Sequence, residues 1–494
     1  MVIIAYILLG LYSLALLYIT FFCLMQFHLL YHYQKLKKKE VPLITPSMEG
    51  SEWPIVTIQL PMYNEKYVVE RLIDCIMKMD YPKDRLEIQI LDDSTDDTLE
   101  LSRKKVEEYS AQGYMIELVT RPDRVGYKAG ALKYGMQSVK GEFIAIFDAD
   151  FLPRADFLRR TIPHFIRQPK VGVVQTRWEH INEDYSIITK LQAFQLNVHF
   201  TVEQVGRKAG NYMLQFNGTA GVWRKETIED AGGWQADTLT EDLDLSYRSQ
   251  IKGWEIVYLE NLGSPAELPA EMNGLKSQQF RWMKGGAETA VKILPSIWKS
   301  NLSFAKKFHA SIHLLSSGIF LVIFLTGVFS VPLVFLMGVL GFDGAIFGMF
   351  LMGFLSLIAV YFVGNFSLRP EGQSKIKAIG KFALLFPLFL ALSMGLSLHN
   401  SIAVLQGYLG KKSAFIRTPK FDIKTIADNF TKANYLTTKL PMTTYMEGVM
   451  ALYFIFAIVM AVVQREWTFL LFHGMLALGF TTIFYFSVKH FRLR

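Results

Sequence analysis

The chain holds only two cysteines in 494 residues, Cys23 in an apolar run and Cys75 in a helical pattern. No disulfide framework is implied, and a reduced compartment suits the chain. It also lacks the glycine signatures of common nucleotide folds: there is no GxxxxGK[ST], and no GxGxxG follows the first strand-like run. These absences argue against a P-loop kinase and against a dinucleotide-dependent dehydrogenase. Charge is missing too, since the first thirty-three residues contain no Asp, Glu, Lys or Arg. A cleaved signal peptide has a basic start and a short apolar core, which this run does not. It exceeds the roughly 20 residues that cross a bilayer and predicts a retained membrane helix over 1–34.

What is present is apolar: 51% of the chain is hydrophobic and 14% aromatic. The net charge of +8 raises nucleic acid as a partner, but the positions of the charges point elsewhere. Lys and Arg cluster beside apolar spans, in KLKKK (35–39), KSNLSFAKK (299–307), KIKAIGK (375–381), GKK (410–412) and the terminal HFRLR. Basic flanks of this kind follow the positive-inside rule, so the expected partner is a lipid bilayer and not nucleic acid. Apolar stretches at about 316–338, 345–366, 379–396, 446–463 and 467–489 are candidates to span. All basic clusters share one side if 379–408 lies along or dips into the interface, which predicts five crossings and a cytoplasmic catalytic domain. A transporter would need charged or broken helices at mid-membrane, and these spans carry few charges.

Between the membrane blocks the pattern changes. IVTIQLP (55–61), LEIQILDD (86–93), MIELVTR (115–121), FIAIFDAD (143–150) and VGVVQTRW (171–178) read as strands. Amphipathic stretches alternate with them, which predicts an α/β domain with a parallel sheet covered on both faces. Ligands then bind at the carboxyl ends of the strands.

The strand ends carry acids. Asp148 and Asp150 are two residues apart, so an extended segment aims both the same way and their repulsion calls for a hard cation, Mg²⁺ or Mn²⁺. Asp96 and Asp97 precede a helix and read as turn or cap residues. Tyr63, Asn64 and Glu65 in QLPMYNE suit a base or ribose. Lys128, after Gly126 at a helix start, suits an anion or simply solvent. TLTEDLDLSYR (238–248) predicts a helix capped by Thr240 with Asp242 in its first turn. In SQQFRWMKGG (277–286), Gln278, Gln279, Arg281 and Trp282 combine amides, a guanidinium and a flat ring, and an interfacial anchor has no need of paired glutamines.

LDD, DAD, TED and QQFRW, in this order and with a sheet domain between membrane helices, resemble the D, DxD, TED, Q(Q/R)xRW signature of family 2 glycosyltransferases of the cellulose-synthase type. LDDSTD, GYKAGALK, FDADF and FNGTAGVWR look closest to plant cellulose-synthase-like enzymes making mannan or the glucan backbone of xyloglucan. The resemblance covers about residues 50–300 and reappears at FIRTPK (415–420). It implies a GT-A fold, Rossmann-like, inserted between transmembrane helices: an N-terminal helix over 1–34, the transferase domain over 50–300, interfacial and membrane helices over 301–408, a gating-like cytoplasmic loop over 409–445 and two last helices over 446–490.

It also implies roles. Asp92 and Asp93, with Tyr63 and Glu65 nearby, would bind the base and ribose of a nucleotide sugar; Lys128 and Gln278 would belong to the same nucleotide site, and Arg281 would bond the diphosphate. Asp148 and Asp150 would hold Mg²⁺ or Mn²⁺. Asp242 would be the general base, with Glu241 beside it, ionised by the helix dipole and therefore weak. Trp282, Asn217, Gly218 and Thr219 would border the growing glycan. Phe415, Thr418 and Lys420 match the gating loop written FxVTxK, but Arg417 stands where the family has Val. The implied enzyme is an inverting, processive hexosyltransferase of a plasma, inner or Golgi-type membrane, using UDP-glucose or GDP-mannose. The alternative is transfer of one sugar to a lipid or lipid-linked acceptor. Accessory subunits stay open.

Overall fold

The computed structural model describes residues 2–39, 52–341, 347, 350–425, 428 and 440–492. Residues 40–51 and most of 426–439, the latter within the expected cytoplasmic loop, lie outside the described residues.

Helix α1 (Val2–Lys37) leads into a seven-stranded sheet of order β3-β2-β1-β4-β6-β5-β7. Its strands are β1 (Val56–Met62), β2 (Leu86–Asp92), β3 (Met115–Val119), β4 (Phe143–Ile146), β5 (Val171–His180), β6 (Gly221–Arg224) and β7 (Glu255–Ala266). The five predicted strands are all present, and β1 to β4 pair in parallel. β6 runs antiparallel to both β4 and β5, so the sheet is mixed. The helices α2 (Val69–Ile76), α3 (Thr98–Ala111), α4 (Tyr127–Gly135), α5 (Phe157–Arg167), α6 (Ile187–Val198), α7 (Gln204–Ala209), α8 (Lys225–Asp230) and α9 (Glu241–Ile251) complete the domain.

All of β2 and nearly all of β1 are buried, their polar residues included. A polar ladder explains it. Thr57 Oγ1 donates to Glu87 Oε2 (2.5 Å), Gln59 Nε2 to Gln89 Oε1 (3.0 Å), and Gln89 Nε2 to Glu117 Oε1 (3.0 Å). Side chains opposite each other in the register satisfy one another, which removes most of the cost of burying them. The other face of these strands, with Val56, Ile58, Leu60, Ile88 and Ile90, packs with Val69, Leu72, Ile73 and Ile76 of α2. Each such side chain contributes about 1.5–3 kcal/mol on burial.

Helix α10 (Met272–Lys299) leaves the sheet domain and leads to α11 (Phe304–Leu314), α12 (Ile319–Leu340), α13 (Leu351–Ser367), α14 (Lys375–Gly395), α15 (Ser397–Tyr408), α16 (Met442–Val463) and α17 (Leu470–Arg492). Among the described residues, five helical segments are long and apolar enough to cross a membrane: 2–37, 316–337, 375–395, 442–463 and 470–492. These mark an integral membrane protein. The number equals the expected crossings, but the set differs. The 345–366 stretch yields the shorter α13, while the segment expected to lie at the interface divides into α14, long enough to span, and α15. Helix α15 packs on α10, where His399 Nε2 faces the Lys276 carbonyl at 3.0 Å. A buried ion pair, Lys276 Nζ to Glu447 Oε2 at 2.8 Å, ties α10 to α16.

Candidate active site

The sheet order changes direction beside β1 and β4, and the carboxyl ends of these strands open into a cleft of about 210 Å³. The turn after β1 brings Tyr63 and Glu65 to its wall, and the end of β2 brings Asp93. Asp92 does not reach it. Its carboxylate points to α3, accepting from Ser102 Oγ (2.7 Å) and Ser94 N (2.8 Å). Successive residues at a strand end face opposite ways, so only one of the acidic pair can serve the cleft. Asp93 itself is held by Arg121, whose Nε and Nη2 donate to its two oxygens at 2.8 and 2.5 Å.

Strand β4 ends at Ile146, so Asp148 and Asp150 lie in the turn beyond it and not on an extended segment. The turn, closed by Phe151 N on the Asp148 carbonyl (3.1 Å) and by a bridge from Phe151 to Ala266, brings both to the cleft. Two lysines offset the expected repulsion. Lys128 Nζ is 2.5 Å from Asp148 Oδ1, and Lys420 Nζ is 2.6 Å from Asp150 Oδ2. Lys128 enters from the start of α4, after Gly126 in the left-handed region. Burial works against its charge, but Asp148, Glu241 and Asp242 outweigh that and raise its pKa.

The loop 215–220 forms the opposite wall. Gln175 pins it, with Nε2 donating to the carbonyls of Thr219 (3.1 Å) and Ala220 (3.0 Å) and Oε1 accepting from Asn217 N (2.9 Å). Asn217 and Gly218 line the cleft; Thr219 lies behind it, its hydroxyl accepting from Asp148 N at 2.9 Å. Gly218 has φ +79°, and a Cβ there would stand 3.0 Å from Asp242 Oδ2. Only glycine permits both the conformation and the approach.

Helix α9 presents Glu241 and Asp242 from its first turn. Thr240 occupies the cap position, but its hydroxyl pairs with Thr289 Oγ1 of α10 at 3.1 Å instead of capping. Gly285 allows that contact, because a Cβ would lie 2.6 Å from Thr240 Cγ2. Burial and the neighbouring Glu241 push the Asp242 carboxyl up to about 7, and burial raises Glu241 as well. The expected dipole effect is thus outweighed by desolvation. On α10, Gln278, Arg281 and Trp282 share one face at helical spacing and line the cleft.

Residues 415–420 cover the site. Arg281 donates to the Ile416 carbonyl (2.5 Å) and Thr418 Oγ1 (2.9 Å), with its guanidinium 4.9 Å from the Phe415 ring centre. Arg417 Nη1 lies 2.9 Å from Glu65 Oε2. Burial lifts Glu65 to about 7 against the pull of Arg417 and Lys420. Sequence reasoning missed Arg121, Gln175 and the Arg417 pairing. The only signal for the last was its departure from Val.

Residues 54–285 match the family model described as "Glycosyltransferase like family 2". A probable glucomannan 4-beta-mannosyltransferase of Oryza sativa subsp. japonica is 42% identical over 270 residues, 54% of this chain and 49% of that protein. Glucomannan 4-beta-mannosyltransferase 7 of Arabidopsis thaliana is 43% identical over 265 residues, 53% and 48% of the two chains. The chain spans about half the length of the curated relatives it matches. Among solved structures, a mannosyltransferase from Pyrobaculum calidifontis in complex with GDP-Man and Mn²⁺ aligns with TM-score 0.52 at 18% identity, covering 80% of this chain and 100% of that one, a likeness of fold. Residues 54–285 are therefore a glycosyltransferase family 2 domain with a GT-A fold, joined to membrane helices.

Proposed function

We propose that this chain is a membrane β-glycosyltransferase that polymerises a β-linked polysaccharide from a nucleotide sugar, with its catalytic domain on the cytoplasmic side. The observation that carries the reading is the convergence of Asp148, Asp150, Asp242, Arg281 and Trp282 on one cleft in a chain with five membrane-length helices among its described residues. The relatives' names favour mannose, so GDP-mannose is the first donor to test and UDP-glucose the second.

Tyr63 and Asp93 receive the base and ribose, while Glu65 braces the covering loop through Arg417. Lys128 and Arg281 oppose the charge of the diphosphate, and a guanidinium does so bidentately. Asp148 and Asp150 offer hard oxygen donors only, and no group of three or more His, Cys, Asp or Glu able to hold a metal occurs among the described residues. That donor set fits Mg²⁺ or Mn²⁺, which Asp148 and Asp150 would hold. Such an ion, when bound, offsets the charge of the departing nucleoside diphosphate.

Asp242 takes the proton of an acceptor hydroxyl as that oxygen bonds to the anomeric carbon and the bond to the diphosphate breaks. One in-line displacement inverts the centre, so an α-linked donor gives a β-linked product. A carboxylate with a raised pKa is a stronger base than an ordinary aspartate, provided the pH keeps it ionised. Trp282 offers its ring face to a terminal sugar. The 415–420 loop excludes water when closed.

A screen of GDP-mannose and UDP-glucose with Mn²⁺ on the purified full chain, followed by linkage analysis, tests the reading. Incorporation of sugar from one donor into a β-linked polymer is expected. Transfer of a single sugar to lipid would replace polymerisation, and no transfer from any nucleotide sugar would remove the assignment.

A further inference from the structure

A line of half-buried polar groups runs to the buried Asn217 and stops there. Between α6 and α7 the helix opens into one π turn, His199–Glu203, a geometry found often at functional sites. It sets His199 Nδ1 3.0 Å from Glu203 Oε2, and Nε2 2.9 Å from Asn217 Oδ1. Burial alone would raise Glu203, but the His199 hydrogen bond and the Arg207 guanidinium depress its pKa to about 2. Glu203 is therefore a permanent acceptor. Gln215 Nε2 donates to the same Asn217 oxygen at 2.9 Å.

Both partners of the His199 ring are acceptors, so both ring nitrogens donate and the ring is the imidazolium. With its oxygen accepting from Nε2 and from Gln215, the Asn217 amide has one orientation. Its Nδ2 is buried and has no hydrogen-bond partner among the described residues, in a side chain only 8% exposed. Buried donors are rarely left unpaired unless a ligand or water takes them. This one belongs to a residue that lines the cleft next to Gly218, itself against Asp242. The acceptor hydroxyl that Asp242 deprotonates must sit there.

We propose that Glu203, His199 and Gln215 are positioning residues that aim Asn217 Nδ2–H at an oxygen of the acceptor sugar. This inference rests on the glycosyltransferase reading above. The amide holds the sugar ring while Asp242 faces its hydroxyl. Glu203 fixes the imidazolium, and the imidazolium and Gln215, both donating to the Asn217 oxygen, prevent the amide from turning over.

The test uses the full chain in lipid nanodiscs and two probes measured separately by calorimetry: a β-1,4-manno-oligosaccharide, and GDP with Mn²⁺. Asn217→Ala and His199→Phe each weaken the oligosaccharide about tenfold, the scale of one lost hydrogen bond, and leave GDP binding unchanged. His199→Gln keeps a donor for Asn217 Oδ1 and recovers most of the loss, which a merely structural role for the ring would not allow. Unchanged oligosaccharide binding in Asn217→Ala, or parallel loss of both probes in a folded His199→Phe, overturns the inference. Wild-type chain that binds neither probe overturns the glycosyltransferase reading, and this inference with it.

Discussion

Lys420 Nζ lies 2.6 Å from Asp150 Oδ2 and 3.0 Å from the Glu267 carbonyl oxygen, joining residues 270 positions apart. The covering loop thus holds a carboxylate that the proposed divalent ion would also need. Arg281, spent on Ile416 and Thr418, would likewise be shared between the loop and the proposed substrate. On the proposed reading, the closed loop and the loaded donor would compete for the same groups. Lys420→Gln frees Asp150, and Mn²⁺ titration without nucleotide, followed by electron paramagnetic resonance, should show about tenfold tighter binding, the scale of one lost competing interaction. Equal affinity in both proteins would separate Lys420 from the metal site.

Asp242→Asn keeps the shape of the side chain and removes the proposed base. Turnover should fall by about 10²–10⁴, while GDP with Mn²⁺ binds as before. Loss of nucleotide binding in this variant would move Asp242 from proton transfer to donor recognition.

The pH profile follows from the same residue. Burial and Glu241 raise the Asp242 pKa to about 7. A base works only when deprotonated, so the rate of transfer should rise as pH increases through about 7 and fall off on the acid side. A profile flat from pH 5 to 8 would contradict the buried, raised carboxylate; those limits are set roughly one to two units on either side of it.

The Arg417–Glu65 pair is mostly buried, with side chains 13% and 12% exposed. Removing one partner strands the other, a loss of about 3–5 kcal/mol for a buried pair, less here because Glu65 can protonate. Arg417→Val should therefore lower the thermal midpoint, and adding Glu65→Gln should restore most of it. Additive losses in the double variant would show that the two residues act separately.

Gly285 holds α10 against the start of α9, where a Cβ would meet the Thr240 nitrogen at 2.9 Å. Gly285→Ala should force the TED segment away from Arg281 and Trp282. A displacement near 1 Å can cost about 10²-fold in rate, so turnover falls with little loss of the folded state, as read by kinetics beside a melting curve.

Much of this was legible in the sequence, and the limits have physical causes. Strands β1 to β5 announced themselves because their apolar runs are longer than their turns. β6 is four residues, and β7 contains Asn261, Gly263, Ser264 and Pro265, which read as loop. Composition does not reveal that β5, which β7 pairs with through two register shifts, tolerates them. At the site, motifs located the acids but not their partners. The choice between Asp92 and Asp93 depended on which face of β2 the strand end turns to α3. The pairing of Asp150 with Lys420, and of Glu65 with Arg417, is a product of the fold alone.

The most direct measurement is the length of the product over time. Full chain in nanodiscs, given labelled GDP-mannose or UDP-glucose with Mn²⁺, should yield a β-linked polymer that lengthens with time and is absent with Asp242→Asn. A product fixed at one sugar on lipid, or incorporation that survives Asp242→Asn, would contradict the account.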